Sequence, residues 1–247
     1  MQSYLRSFWR NYLTFNWKFG LFLILIICTP RFLLVLHANQ YSDYRFIGII
    51  MLLSFILPFI FLNRQGLKAM GLHKPKNFRW LIGAFLVGLI YAYLLFILGK
   101  TLYQDSYQNW YQYIGQSYKI PIDITAKAKQ EMFLIVAGTG IIFSPLGEEF
   151  YFRGIVHETF VPKFGNRGAS IIDSSAFAVT HIAHFGLVYV QESWHFLLIP
   201  SLIWSFSMYF ASRIFYLFKV KSGAIWGAIL CHAAFNLSMI YCIFYLL

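Results

Sequence analysis

The chain has 247 residues, 59% of them hydrophobic and only 12% charged, with a mean hydropathy of +0.61. That profile excludes an ordinary soluble domain and points to a protein that crosses the membrane several times. A formal net charge of +11 would suggest nucleic acid in a soluble protein. Here the basic residues fall in short loops between apolar stretches, where they set topology and meet anionic lipid, so no nucleic-acid partner is expected.

In chain order, the lead LRSFWRNYLTFNWK is aromatic and basic and no small-x-small cleavage pattern follows it. Residues 1–18 therefore read as an amphipathic lead lying on the membrane surface, ahead of a retained first span. Apolar stretches of about 17–25 residues are candidate membrane helices. They fall at about 19–37, 45–63, 80–99, 131–150, 170–189, 195–217 and 223–246. The expected fold is all-α: a polytopic transmembrane helix bundle of about seven to eight membrane helices. Residues 1–247 form one membrane domain with no internal repeat. The fourth span is expected to run on as helix through Phe160, since nothing breaks it before Pro162. An eighth element, broken or re-entrant, would lie there or in the lead.

The loops alternate in charge. Basic residues crowd the lead, the loop with Arg64, Lys68, Lys74, Lys76 and Arg79, and the stretches around Lys163 and Lys219. The positive-inside rule then places the N-terminus in the cytoplasm and the C-terminus outside. The Tyr- and Gln-rich segment 103–119 (YQDSYQNWYQYIGQSYK) reads as an aromatic ledge at the outer interface. Cys28, Cys231 and Cys242 lie in apolar spans at no metal-ligand spacing and read as buried thiols.

The motif GEEFYFRG, residues 147–154, sets two carboxylates and a guanidinium in this apolar surrounding. Each such group costs roughly 2.5–3.5 kcal/mol near a membrane-helix centre and needs a partner, water or neutralisation. Glu149 and Arg153 are four apart, a spacing that permits an ion pair on one helical face. Glu148 is rotated by about 100° from Glu149 and is free to face something else. On the motif alone, a solvated helix end at the interface explains all three equally well.

Two further spans carry rare polar residues. One holds Phe177 and His181 four apart, with His184 one turn beyond; the other holds His232 and Asn236 four apart. At 1.5 Å per residue, both histidines come roughly 13–17 Å into the membrane from the basic side, and Glu148 about 20 Å. A carboxylate in a poorly hydrated cavity can act as general base for a water molecule, an imidazole can share that water, and a His/Asn pair can donate to an oxyanion. No GxSxG is present, so the parts suit a hydrolase that uses activated water.

These residues resemble the CAAX-protease and bacteriocin-processing (CPBP, or Abi) family of intramembrane glutamic proteases, with motifs EExxxR, FxxxH and HxxxN. They stand here as Glu148 to Arg153, Phe177 to His181 and His232 to Asn236. The resemblance covers about residues 130–240. It implies a catalytic set of Glu148, His181, His232 and Asn236, with Glu148 activating water, His181 assisting, and His232 with Asn236 stabilising the oxyanion. It also implies a structural role for Glu149, Arg153 and Phe177. His184 falls outside the motifs and is expected to pack beside them; His157 and Glu158 are expected near the cytoplasmic interface. Such families attract a zinc reading, but no HExxH is present and Asn is a rare zinc ligand. The expectation is therefore no metal and no cofactor.

The expected partners are a peptide or protein substrate, lipidated or bacteriocin-related, and membrane lipids. The leading expectation is an intramembrane endopeptidase working near the cytoplasmic side of a bacterial plasma membrane, serving bacteriocin self-immunity or peptide processing. A prenylated CAAX-tail endopeptidase and a non-catalytic immunity or scaffold protein remain open. A proton-coupled transporter is disfavoured by the lack of inverted repeats.

Overall fold

A backbone in lipid must satisfy its own polar groups, and the long apolar stretches do so as helices. The computed structural model describes residues 4–247. The helices are α1 (Ser7–Arg10), α2 (Trp17–Tyr41), α3 (Arg45–Phe61), α4 (Arg64–Ala69), α5 (Arg79–Tyr103) and α6 (Trp110–Gln116). They continue with α7 (Ala126–Glu148), a π-helical segment (Glu149–Val156) and α8 (His157–His181). A hairpin of β1 (Leu187–Val190) and β2 (Ser193–Phe196) leads to α9 (Leu198–Ser222) and α10 (Ile225–Tyr245). Among the described residues, α2, α5, the stretch Ala126–His181, α9 and α10 are long and apolar enough to cross a membrane, and α3 is a shorter apolar helix. The architecture is thus a helical bundle, as expected.

Polar side chains set several helix starts. Asn16 accepts from the Lys18 and Phe19 amides at the head of α2, and Thr125 accepts from Ala128 at the head of α7. Helix α10 packs against α5, α7 and α9, while α2 lies along α8 and α3 along α7. Its run beside α7 is antiparallel: Asn236 bonds Gly140 and, further on, Tyr245 packs on Phe133.

Several elements depart from expectation. The fourth span does run on as helix through Phe160, as expected, but not as regular α-helix throughout. It widens into the π-helical segment at Glu149, where Gly154 has φ −90° and ψ −106°. The chain then reverses at Gly165, whose φ of 66° and ψ of 173° suit a residue without a side chain. On the returning limb, Asp173 bonds back to His157, and Asn39 of α2 donates to the Ala183 carbonyl.

The fifth span, expected to reach residue 189, ends at His181. Gly186 (φ 129°) breaks the chain, and LVYV pairs antiparallel with SWHF. Gln191 and Glu192 both have positive φ (49° and 61°), as a tight hairpin turn requires. The sixth span accordingly starts as strand and turns helical only at Leu198.

The amphipathic lead is also different. Its first three residues lie outside the described part. The rest tucks Leu5 and Phe15 into the core, and the Arg6 amide donates to the Phe61 carbonyl at 2.9 Å. The aromatic ledge is turned inward: Trp110 and Tyr111 are buried on α5, donating to the Leu95 and Ala92 carbonyls at 3.2 and 2.6 Å.

The bundle has two distinct ends. At one end α4, the 70–78 loop and the α9–α10 junction meet: the Lys76 amide donates to Ser222 and the Ile225 amide to Gly71. At the other end lie α6, the hairpin and the last residues: the Tyr189 amide donates to the Tyr113 hydroxyl, and Lys100 to the Leu246 carbonyl.

Close approach of α3 and α7 just above the acidic motif depends on Gly147. A Cβ there would stand 2.6 Å from the Met51 carbonyl oxygen, whereas Gly138 on the same helix has nothing within 4 Å. Gly147→Ala is expected to cost about 1–3 kcal/mol, lowering the thermal unfolding midpoint of the detergent-solubilised protein. Gly138→Ala is expected to leave that midpoint unchanged or raised.

Candidate active site

Glu148 closes the α-helical part of α7 and Glu149 opens the π-helical segment, so the pitch changes between the two carboxylates. A π-turn inside an α-helix re-aims side chains and recurs at functional sites. Glu148 is 3% exposed, and Glu149 and Arg153 are 0% exposed. The solvated helix end that the motif alone allows is thereby excluded.

The two carboxylates have separate partners. Glu149 Oε2 lies 3.2 Å from Arg153 Nε, and Glu149 Oε1 meets His232 Nδ1 at 2.8 Å. Arg153 also donates to Ser212 Oγ, and its guanidinium sits over the Phe177 ring, 4.5 Å from the centroid. Glu148 turns the other way. Its Oε1 accepts from Arg31 Nη2 at 2.9 Å and from Ser144 Oγ at 2.8 Å. Its Oε2 has no hydrogen-bond partner and lies 3.9 Å from His181 Nε2.

The two histidines are held alike. His181 Nδ1 contacts the Phe177 carbonyl at 2.7 Å; a carbonyl only accepts, so Nδ1 carries a proton and Nε2 is the nitrogen turned to Glu148. The Phe177 ring stacks on His181 with centroids 4.1 Å apart, and Phe215 stacks on His232 at 4.6 Å. Phe177, read from sequence as structural, thus contacts both Arg153 and His181. Asn236 donates one amide hydrogen to the Gly140 carbonyl at 3.0 Å, which leaves its second. His184 has its ring 5.3 Å from His181.

All these groups except Glu149, Arg153 and Ser212 border one chamber of about 240 Å³. Its polar floor is Glu148, Arg31, His181, His184, His232 and Asn236; its walls include Ile47, Met51, Met208, Phe235, Met239 and Ile240. A polar floor under apolar walls is the usual form of a site for a small reacting segment. The depth match drawn from the helix spacings is thus a contact cluster built by α2, α7, α8 and α10.

Arg31 and Ser144 were not singled out from the sequence. Arg31 had a signal: it is a lone guanidinium inside the apolar run of the first span, and charges in such positions mark functional sites. His157 lies towards the α4 end, by Gly71 and His73, and is buried there, bonding Asp173 Oδ2 at 2.7 Å. Glu158 lies near it, 3.5 Å from Lys219 Nζ.

The donor set does not converge as a metal cage. Glu149 is taken by His232 and Arg153, and Glu148 by Arg31. No group of three His, Cys, Asp or Glu stands close enough to hold an ion among the described residues.

A family model described as type II CAAX prenyl endopeptidase, Rce1-like, matches residues 130–238. The matched segment is similar to that family. It contains the acidic motif, both histidines and Asn236, so the match covers the polar floor of the chamber apart from Arg31. This Rce1-like match supports a CAAX-type intramembrane endopeptidase, integral to the membrane and acting on a peptide or protein. Searches of curated proteins and of solved structures returned no match.

Removing one partner of a buried ion pair leaves an uncompensated charge and costs about 3–5 kcal/mol, while replacing both can be nearly neutral. Arg31→Gln is therefore expected to lower the thermal midpoint strongly. The double variant Arg31→Gln, Glu148→Gln is expected to recover most of it, as a double-mutant cycle in detergent would read.

Proposed function

We propose that this protein is a glutamate-dependent, metal-free intramembrane endopeptidase in which Glu148 activates the attacking water. The observation that carries this is Glu148 Oε2: a buried carboxylate oxygen with no partner, in the chamber, 3.9 Å from His181 Nε2. An unsatisfied buried acceptor at such a place suits a water molecule as its partner. Arg31 and Ser144 both bond the other oxygen, Oε1, and so fix the carboxylate's orientation.

In the reaction, Glu148 takes a proton from water as the water oxygen bonds to the scissile carbonyl carbon. His181, its Nδ1 fixed by the Phe177 carbonyl, shares that water through Nε2. The developing oxyanion is met by the free amide hydrogen of Asn236 and by His232 Nε2. With His232 Nδ1 committed to Glu149, a donor at Nε2 requires the doubly protonated ring, for which Glu149 is the counter-ion. The proton held by Glu148 then passes to the leaving nitrogen as the C–N bond breaks, and product leaves as acid and amine. Glu149, Arg153 and Phe177 hold this arrangement without touching the reacting atoms; His184 packs beside His181.

The physiological reading is bacteriocin self-immunity or maturation of a small peptide in a bacterial plasma membrane. The description of the matching family favours a second reading, trimming of a CAAX tail. The transverse spread of the cluster over four helices argues against a mere packing device, because helix association alone needs no pair of glutamates.

Glu148→Gln and His181→Ala, each at normal membrane levels, are expected to lower peptide cleavage by about 10²–10⁴-fold, the range for loss of a general base. Unchanged cleavage in both variants overturns the proposal. Activity that is lost to a chelator and restored by added zinc overturns its metal-free part.

A further inference from the structure

The chamber is closed towards one end of the bundle and reaches out towards the other. Below Glu148, Phe150, Tyr151, Phe152, Ile155 and Val156 are all buried and fill the space towards the α4 end. Tyr151 is pinned there by donating to the Leu23 carbonyl at 2.6 Å. In the opposite direction the chamber is bordered by Ile114, Ser117 and Tyr118, on α6 and the loop after it, and by Tyr44 at the head of α3. Beyond lies a second, polar cavity of about 100 Å³ that shares Tyr44, Ile114, Ser117 and His184 with the first. Its outer lining includes Asn39, Ser42, Gln116 and Tyr189. The two adjoin through these shared residues and lie in line between Glu148 and the α6 end.

The two ends differ sharply in charge. The loops and helix ends at the α4 end hold Arg6, Arg10 and Lys18, then Arg64, Lys68, Lys74, Lys76 and Arg79, and further Lys163, Arg167, Lys219 and Lys221. The acid among them is Glu158. The α6 end sets Arg45, Lys100, Lys119, Lys127 and Lys129 against Asp43, Asp105, Asp123, Glu131 and Glu192. Lys/Arg bias in short loops orients a membrane protein with its basic end in the cytoplasm. Neither cavity is lined from that end.

We infer that the chamber opens on the non-cytoplasmic side of the membrane, and that its substrate is an extended segment of an exported or external polypeptide with apolar residues about the cleaved bond. This rests on the peptidase reading above, and it sets the access side opposite to the one expected from helix depth alone. Depth could not decide it, because Glu148 lies near mid-membrane. The apolar walls, among them Met208, Phe235 and Met239, suit uncharged side chains, and a chamber of about 240 Å³ admits a strand but no folded domain. A cytosolic prenylated tail would meet the sealed end. A secreted peptide toxin or an exported peptide meets the mouth.

Sidedness is testable without any activity. Gln116 at the mouth and Lys68 on α4 are both exposed, and the native Cys28, Cys231 and Cys242 are buried. Gln116→Cys and Lys68→Cys would each be expressed in bacterial cells and treated with a membrane-impermeant maleimide, against the parent chain as background. The expected result is at least tenfold stronger labelling of Gln116→Cys than of Lys68→Cys in intact cells, with the two equal after permeabilisation. The reverse pattern, equal labelling in intact cells, or no labelling of Gln116→Cys until permeabilisation each overturns the inference. In a second arm, a bulky maleimide on Gln116→Cys is expected to lower cleavage of externally added peptide at least tenfold, and cleavage unaffected by it overturns the mouth assignment. Labelling as expected, with no peptide cleaved even by the parent chain, would sink the peptidase reading and leave the access side standing.

Discussion

Two guanidinium–carboxylate pairs, Arg31 with Glu148 and Arg153 with Glu149, are what the interior of this protein is arranged around. In a bundle interior surrounded by lipid, four unpaired charges would cost several kcal/mol each. Paired, they sum to zero, and each pair ties separate parts of the chain together. Arg31 draws α2 against the end of α7; Glu149, through His232, draws the π-helical segment against α10. The close backbone approach at Gly147 serves the same end, because α3 must come near for the chamber to have a wall. Where the α-helix could not aim adjacent side chains at both sets of partners, it widens into a π-turn.

That arrangement divides labour between chemically identical neighbours. Glu149 has one oxygen hydrogen-bonded to His232, and the other faces Arg153 Nε at 3.2 Å as an ion pair without a hydrogen bond. Glu148 has one oxygen fixed and the other open. The difference is geometric: the two residues share a sequence environment and differ in which helix each faces. The aromatic rings take part in this. Phe177 lies between Arg153 and His181, and Phe215 lies flat on His232, so neither imidazole can swing without displacing a packed ring.

The parts of the molecule away from the charges are simpler. Apolar periodicity is enough to specify α2, α5, α9 and α10, since a long apolar segment in lipid has few alternatives to a helix. The departures occur where local chemistry overrides hydropathy. Gly186 lies where composition would extend the fifth span to residue 189. The VYVQESWHF segment has alternating β-branched and aromatic residues but no Asn-Gly turn, so its hairpin was hidden within apolar runs. Trp110 and Tyr111 looked interfacial because such rings favour the headgroup region, yet each finds an α5 carbonyl for its polar tip and is buried.

Read by itself, the sequence determined that this is a polytopic helical membrane protein, that Glu149 and Arg153 stand at ion-pair spacing, and that Glu148, His181, His232 and Asn236 lie at matching depths. These follow from spacing along one helix and from the length of membrane a helix must cross, both of which are local. Only the tertiary structure decided that Arg31 is the counter-ion of Glu148, that His232 belongs to Glu149, and that the chamber is sealed at its basic end. Those depend on which face of one helix meets which face of another, and hydropathy carries no record of that. The Glu148 carboxylate is the clearest case: its neighbours in space come from positions 31, 144 and 181, and no motif joins them.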